Sequence, residues 1–233
     1  MEPMSRVIIA SATRLPAEKF WQESALGQSL RRLAFDTGLS ATVAFDNAEG
    51  LPAIYNRVIE AAPPASLLVF LHDDVWIDDI FFSQRIAEGL EAFDAIGVAG
   101  NRRRVRLQPA WAFVDDKLTW DERANLSGSV AHGKMPFGAV SHFGPAPAEC
   151  ELLDGVLLAA SRDVLISHEI RFDERFSFHF YDMDFCRSMR AKGLRLATWP
   201  IAMTHQSGGA FGTPAWRAAR EIYLRKWEAL VAF

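Results

Sequence analysis

The apolar run Leu67-Leu68-Val69-Phe70-Leu71 passes without transition into His72-Asp73-Asp74. A strand that is apolar at every position is dry on both faces, which confines it to the interior of a sheet covered on both sides. Three polar, metal-capable side chains at its carboxyl end then fall where open parallel sheets bind their ligands. Carboxylates in such a place hold a divalent cation, and the cation neutralises a diphosphate. The plainer alternative is that Asp73 and Asp74 end the strand and open a turn.

The flanking segments supply the rest of such a sheet. Arg6 to Ala12 and Ala41 to Phe45 read as strands, joined by a helical stretch with Pro16 near its first turn and Gly38 just past its end. Ala53 to Ala62 predicts a short helix stopped by Pro63-Pro64. Asp78 or Asp79 is placed to cap a helix in which Phe82, Ile86, Leu90 and Phe93 recur at helical spacing, and Ala95 to Gly100 reads as a fourth strand. This alternation predicts an α/β fold, with a mainly parallel mixed sheet and helices on both faces. Asn101 to Glu149 breaks the rhythm and, rich in Gly, Pro and aromatics, predicts a long irregular segment. Leu152 to Ala160 returns to a strand. Asp182 to Lys192 predicts a helix with Gly193 after it, and Leu194 to Trp199 a strand. From Pro214 a C-terminal helix is expected, with Trp216, Tyr223, Trp227 and Leu230 on one side.

Charge and cysteine usage narrow the function. Lys and Arg number 25 against 29 Asp and Glu, a net charge of −4, which argues against a nucleic-acid partner held by its phosphates. Cys150 and Cys186 are too few for a disulfide scaffold or a Cys-based zinc site and suit a reducing cytoplasm. The N-terminal apolar stretch Val7 to Ala10 is too short for a signal peptide, and no run approaches the ~20 apolar residues of a membrane span. A cytoplasmic protein is the expectation.

Two further segments carry chemistry. Phe172-Asp173-Glu174-Arg175-Phe176 is followed by Phe180-Tyr181-Asp182-Met183-Asp184-Phe185-Cys186-Arg187. Asp182 at an N-cap and Asp184 in a first turn are explained by the helix alone. A carboxylate among Phe178, Phe180 and Tyr181 is also partly desolvated, which suits a general base. The residues leave both readings open. His205, ahead of Gln206-Ser207-Gly208-Gly209, reads either as a structural histidine or as a group beside a mobile, phosphate-facing loop.

In order and spacing these segments resemble the family 2 glycosyltransferases, whose nucleotide-sugar-binding fold is called GT-A. Asp46-Asn47 with Gly50-Leu51 and Tyr55-Asn56 resembles the stretch after the family's second strand, and Phe70 to Asp74 falls at its Asp-x-Asp motif. Leu153-Asp154-Gly155 resembles the Asp-Gly of the acceptor side. Phe172 to Phe176 and Tyr181 to Arg187 resemble the family's Phe-Asp-Glu and Glu-Asp-x-Asp block, which Gly193, Pro200 and His205 complete. The match covers roughly residues 5–210. It implies one domain, with a nucleotide-binding half over about 5–100, an acceptor and catalytic half over about 101–210 and a C-terminal helix over 213–233.

The resemblance implies metal-assisted, inverting transfer of a sugar from a nucleoside diphosphate sugar to the hydroxyl of a saccharide or lipid-linked acceptor, in bacterial polysaccharide or glycoconjugate assembly. Asp74 would bind Mn²⁺ or Mg²⁺ with His205 and His72, and Asp182 would take the acceptor's proton. Asp46, Asn47, His72, Asp73 and Asp74 would lie on the donor, and Asp154, Gly155 and Tyr181 on substrate. An in-line displacement at the anomeric carbon needs those two things, a base beside the acceptor and positive charge on the departing diphosphate.

The sequence departs from the family pattern at three places. His72 replaces the first Asp of Asp-x-Asp, Tyr181 replaces the acid before the base, and an Asp-Gly-Ser turn after the second strand is missing. An imidazole still binds Mn²⁺ but is a poorer partner for Mg²⁺. His72 and Tyr181 favour a second reading, a binding or scaffold protein that keeps the fold without turnover; Asp74, Asp182 and His205 oppose it. A sugar-phosphate nucleotidyltransferase needs a Gly-rich first loop, and Ala10-Ser11-Ala12 has no glycine. Arg102-Arg103-Arg104 with Arg106 reads as a solvated loop or a phosphate contact. The basic C-terminal helix, with Arg217, Arg220, Arg225 and Lys226, reads as packing on the sheet before it reads as a peripheral membrane contact.

Overall fold

The computed structural model describes residues 6–228, and the apolar segments that open the chain form the parallel part of its main sheet. There β1 (Val7–Ala12) pairs in parallel with β2 (Leu39–Ala44) on one side and β3 (Leu67–Leu71) on the other. All six positions of β1 are buried, as its unbroken small and apolar run requires. Thr13, Asp46 and His72 therefore leave the sheet along one carboxyl edge.

The helix expected between β1 and β2 is two helices, α1 (Ala17–Glu23) and α2 (Ala25–Arg32). The break is Ser24, whose extended backbone ends α1 and whose Oγ accepts the Gly27 N–H at 2.9 Å to cap α2. Helix α2 ends at Leu33, so Gly38 belongs to the turn into β2 and is not a helix cap. Next come α3 (Leu51–Ala61), with Pro52 in its first turn, then β4 (Val75–Ile77) and α4 (Phe82–Ala92). Neither Asp78 nor Asp79 caps α4, whose N-cap is Phe81 with no side-chain bond. The Asp78 carboxylate instead accepts Thr204 Oγ1–H at 2.6 Å and the Phe137 N–H at 3.2 Å, and Asp79 accepts the Phe81 N–H.

The chain continues through β5 (Ala95–Gly97), β6 (Ala99–Asn101), β7 (Leu126–His132), β8 (Ala139–Gly144), β9 (Ala148–Cys150), β10 (Leu152–Leu153) and β11 (Leu157–Ser161). It ends with α5 (Arg162–Ser167), α6 (Tyr181–Ala191), β12 (Leu196–Thr198), β13 (Met203–His205) and α7 (Pro214–Trp227). The main sheet runs β2-β1-β3-β11-β5-β12-β9, with three parallel and three antiparallel pairings, because β11 enters antiparallel between β3 and β5 and β9 pairs antiparallel with β12. A second sheet, β10-β6-β7-β13-β4 with β8 on β7, was not expected from the sequence.

Two segments that the sequence predicts as single strands are each two elements, one in either sheet. Ala95 to Gly100 divides at Val98 into β5 of the main sheet and β6 of the second; Leu152 to Ala160 divides at Asp154-Gly155-Val156 into β10 and β11. The backbones come close there, and a Cβ on Gly100 would lie 2.5 Å from the Leu152 carbonyl oxygen. Asn101 to Glu149 is only partly irregular, since β7 and β8 form a hairpin with a register shift at Gly128/Ser129. Its irregular part is tied down by buried Asp121, which accepts from Arg103, Asn101 and Asn125. Two of the basic run's side chains are thus engaged internally, Arg103 with Asp121 and Arg104 with Glu228.

Helix α7 packs onto the body through buried Trp216 and Tyr223. Lys226 Nζ and Trp227 Nε1 both reach the carboxylate of Asp184, which is wholly buried on α6. Leu230 lies outside the described residues. No described helix is long and apolar enough to cross a membrane.

Candidate functional site

After β3 the chain leaves the main sheet at His72 and enters the second sheet as β4, where Val75 is opposite His205 in the antiparallel pairing with β13. That register sets His205 Nε2 3.3 Å from Asp74 Oδ1. One ligand atom each from His72, Asp74 and His205 lie within 4.8 Å of one another. Burial opposes the charge on Asp74, but the hydrogen bond and charge of His205, with Ser207 and His72, outweigh it and hold the carboxyl well below its usual range. Burial likewise works against protonated His205, and the hydrogen bond and charge of Asp74 overcome it and raise the imidazole. At His72 burial dominates and lowers the imidazole. Two imidazoles and an anionic carboxylate make a donor set that fits a divalent transition-metal ion.

The second half of the site is built where β10 gives way to β11. Asp154 Oδ2 accepts Trp111 Nε1–H at 2.7 Å and its Oδ1 accepts the Val156 N–H, which fixes the carboxylate. Gly155 then meets the start of α6 at a distance no side chain permits. Its N–H donates to Asp182 Oδ2 at 3.1 Å, and its carbonyl accepts the Tyr181 hydroxyl at 2.8 Å. The same hydroxyl lies 2.8 Å from His72 Nε2. Asp182 is not the N-cap of α6: that position is Phe180, left-handed at φ 66°, and Asp182 sits in the first turn, where Oδ1 accepts the Met183 N–H. Burial, and then the neighbouring charge of Asp154, push the Asp182 carboxyl up to about 7 against the backbone N–H groups of Met183, Gly155 and Asp182 itself, which favour its ionised form.

One cavity of about 510 Å³ is lined by His72, His205, Asp154, Gly155, Tyr181 and Asp182. Much of its remaining wall is aromatic, with Trp111, Phe113, Trp120, Phe143, Phe178 and Phe211, and Ser141 and the Ser207–Ala210 stretch add to it. Sequence reasoning singled out none of Trp111, Trp120 or Phe143 as a site residue. The signal was the aromatic density of the Asn101 to Glu149 segment, unlocalised until the β7–β8 hairpin folded it over the site.

The other expected residues are placed differently. Asp46 is exposed beyond β2 with φ 48°, and Asn47 donates its side-chain amide to the Glu49 carbonyl. The Asp73 carbonyl accepts the Leu26 N–H. Among the described residues, Asp46, Asn47 and Asp73 lie on the carboxyl edge but do not line this cavity. Asp184, two residues beyond Asp182, is locked by Lys226 and Trp227 and serves to anchor α7.

Residues 17–226 match a family described as glycosyltransferase like. No curated protein matches the chain. Among solved structures it is similar to GalNAc-T7 with UDP, GalNAc and Mn²⁺, at 11% identity and a TM-score of 0.54, over 97% of this chain and 48% of that one. It is also similar to a mutant Drosophila β-1,4-galactosyltransferase 7 in complex with manganese, UDP-Gal and xylobiose, at 9% identity and a TM-score of 0.49, over 83% of this chain and 64% of that one. A third likeness is to S. aureus TarS 1–349, at 13% identity and a TM-score of 0.45, over 87% of this chain and 60% of that one. The chain thus spans less than two thirds of the length of each. What it shares with GalNAc-T7 is the GT-A fold.

Proposed function

The chain belongs to the glycosyltransferase-like family, and from that membership we propose that it transfers a sugar from a nucleoside diphosphate sugar to an acceptor hydroxyl with inversion. The observation that carries this reading is that one cavity is lined both by the imidazoles of the metal-capable cluster and by Asp182, a carboxylate raised to about 7. His72, Asp74 and His205 would hold the cation. Their donor set suits Mn²⁺ better than Mg²⁺, and the GalNAc-T7 structure contains manganese. A cation held there would supply positive charge to the departing diphosphate.

The chain's own groups supply the rest. Asp182, its orientation fixed by the Met183 and Gly155 N–H groups, takes the proton from the acceptor hydroxyl. Asp154 keeps that proton affinity high and holds Trp111 in the cavity wall. The aromatic wall supports a saccharide acceptor, whose ring carbons present an apolar face to such surfaces and whose hydroxyls meet the few polar groups. Asp46, Asn47 and Asp73, on the carboxyl edge of the parallel strands, are proposed to face the nucleoside. Inversion follows from a single in-line displacement with the base on the acceptor side.

The pH profile tests the assignment. Only the ionised carboxylate accepts a proton, so kcat/KM is expected to rise as pH increases through about 7 and to level off above it. Asp154→Asn removes a negative neighbour while keeping an acceptor oxygen for Trp111. It should move this limb to lower pH. A limb that does not respond to Asp154→Asn contradicts the role given to Asp182.

A further inference from the structure

We propose that Tyr181 is a positioning residue that sets the tautomer of His72 and so makes Nδ1 its metal-binding atom; the inference rests on the metal site of the proposed function. Tyr181 Oη is 2.8 Å from the Gly155 carbonyl oxygen and 2.8 Å from His72 Nε2. A carbonyl oxygen only accepts, so the single phenolic proton lies toward Gly155. With that proton committed, Tyr181 can only accept from the imidazole, and Nε2 must be the nitrogen that carries hydrogen. A neutral imidazole has one N–H. The lone pair is therefore on Nδ1.

The surroundings leave this arrangement little freedom. Tyr181 is 3% exposed, and the His72 ring is stacked on Phe178 with centroids 5.5 Å apart and planes 27° apart. Tyr181 lines the cavity, but it acts on the cation only through His72, as outer partners of metal-bound histidines do. The arrangement also explains why two departures from the family pattern occur together. An imidazole at 72 needs an acceptor for its second nitrogen, and an ionised acid at 181 could not also donate to the Gly155 carbonyl. A phenol does both.

The test uses the whole chain with Mn²⁺ alone, read by the electron paramagnetic resonance of the free ion, and nitrogen NMR of the His72 ring in metal-free protein. The expected results are a proton on Nε2 in the wild type and Mn²⁺ binding about 10–100-fold weaker in Tyr181→Phe. In a His72→Asp background, where there is no tautomer to set, Tyr181→Phe should change Mn²⁺ affinity little. A proton on Nδ1 in the wild type overturns the inference whether or not the variants fold, as does equal Mn²⁺ affinity in wild type and Tyr181→Phe. A wild type that binds no Mn²⁺ overturns the metal site itself, a different failure, and the tautomer is still read from the same spectra.

Discussion

Asp182→Asn is expected to lower kcat about 10²–10⁴-fold while leaving Mn²⁺ and nucleotide affinity unchanged. The substitution keeps the size of the side chain and one acceptor for the Gly155 or Met183 N–H groups that hold it. What it removes is the ability to take a proton from the acceptor hydroxyl. A loss confined to kcat and kcat/KM, with KM for the donor preserved, is the signature of an interaction made only in the transition state. A variant that keeps its activity would transfer the base's role elsewhere in the cavity. A variant that loses nucleotide affinity as well would make Asp182 part of the donor site.

The second large effect is expected at Gly155. A Cβ there would lie 2.6 Å from Tyr181 Oη, a contact that forces a shift, and 3.0 Å from Asp182 Cβ, a tight contact that needs a few tenths of an ångström of relief. Gly155→Ala must therefore push the start of α6 away from the β10–β11 crossing. This separates Tyr181 from the Gly155 carbonyl and Asp182 from the Gly155 N–H in one step. Because a misplacement of about 1 Å costs on the order of 10²-fold in rate, activity should fall at least that far. Overpacking should also destabilise the fold by about 1–3 kcal/mol, readable as a lower Tm. Unchanged Tm and activity would show that the site tolerates a shift the geometry forbids.

How far the sequence carried these expectations depended on the range over which each feature is determined. The run Leu67 to Leu71 ending in His72-Asp73-Asp74 is a local signal, and it marks a main-sheet strand with its bounds intact, with His72 beyond it lining the cavity. Helix α6 and the position of Gly193, at φ 76° just beyond it, were legible for the same reason. The second sheet was not. It depends on β6 pairing with β7, where Ala99 meets Gly128, and no local period encodes a pairing across that separation. Strand β7 itself, Leu-Ser-Gly-Ser-Val-Ala-His, lacks the large alternating side chains by which a strand is recognised.

The site shows the same division. Asp182 and Asp184 look alike in sequence, two acids in the first turn of one helix. Their fates are set by residues far along the chain. Asp184 faces Lys226 and Trp227 and becomes a buried anchor, whereas Asp182 faces Gly155 and Asp154 and lines the cavity. The N-cap expected of Asp182 failed because Phe180 takes a left-handed backbone and Gly155, from another element, supplies the donor. His72 and Tyr181, separate departures from the family pattern in the sequence, are hydrogen-bond partners in the fold.

The most direct measurement is calorimetric titration of UDP, GDP, dTDP and CDP into the full chain with Mn²⁺, with Mg²⁺ and with EDTA. The account predicts that one of these nucleotides binds with Mn²⁺, more weakly with Mg²⁺, and is lost both with EDTA and in Asp74→Ala. Binding indifferent to EDTA and to Asp74→Ala, or no binding of any nucleotide, would contradict a metal-dependent donor site at His72, Asp74 and His205.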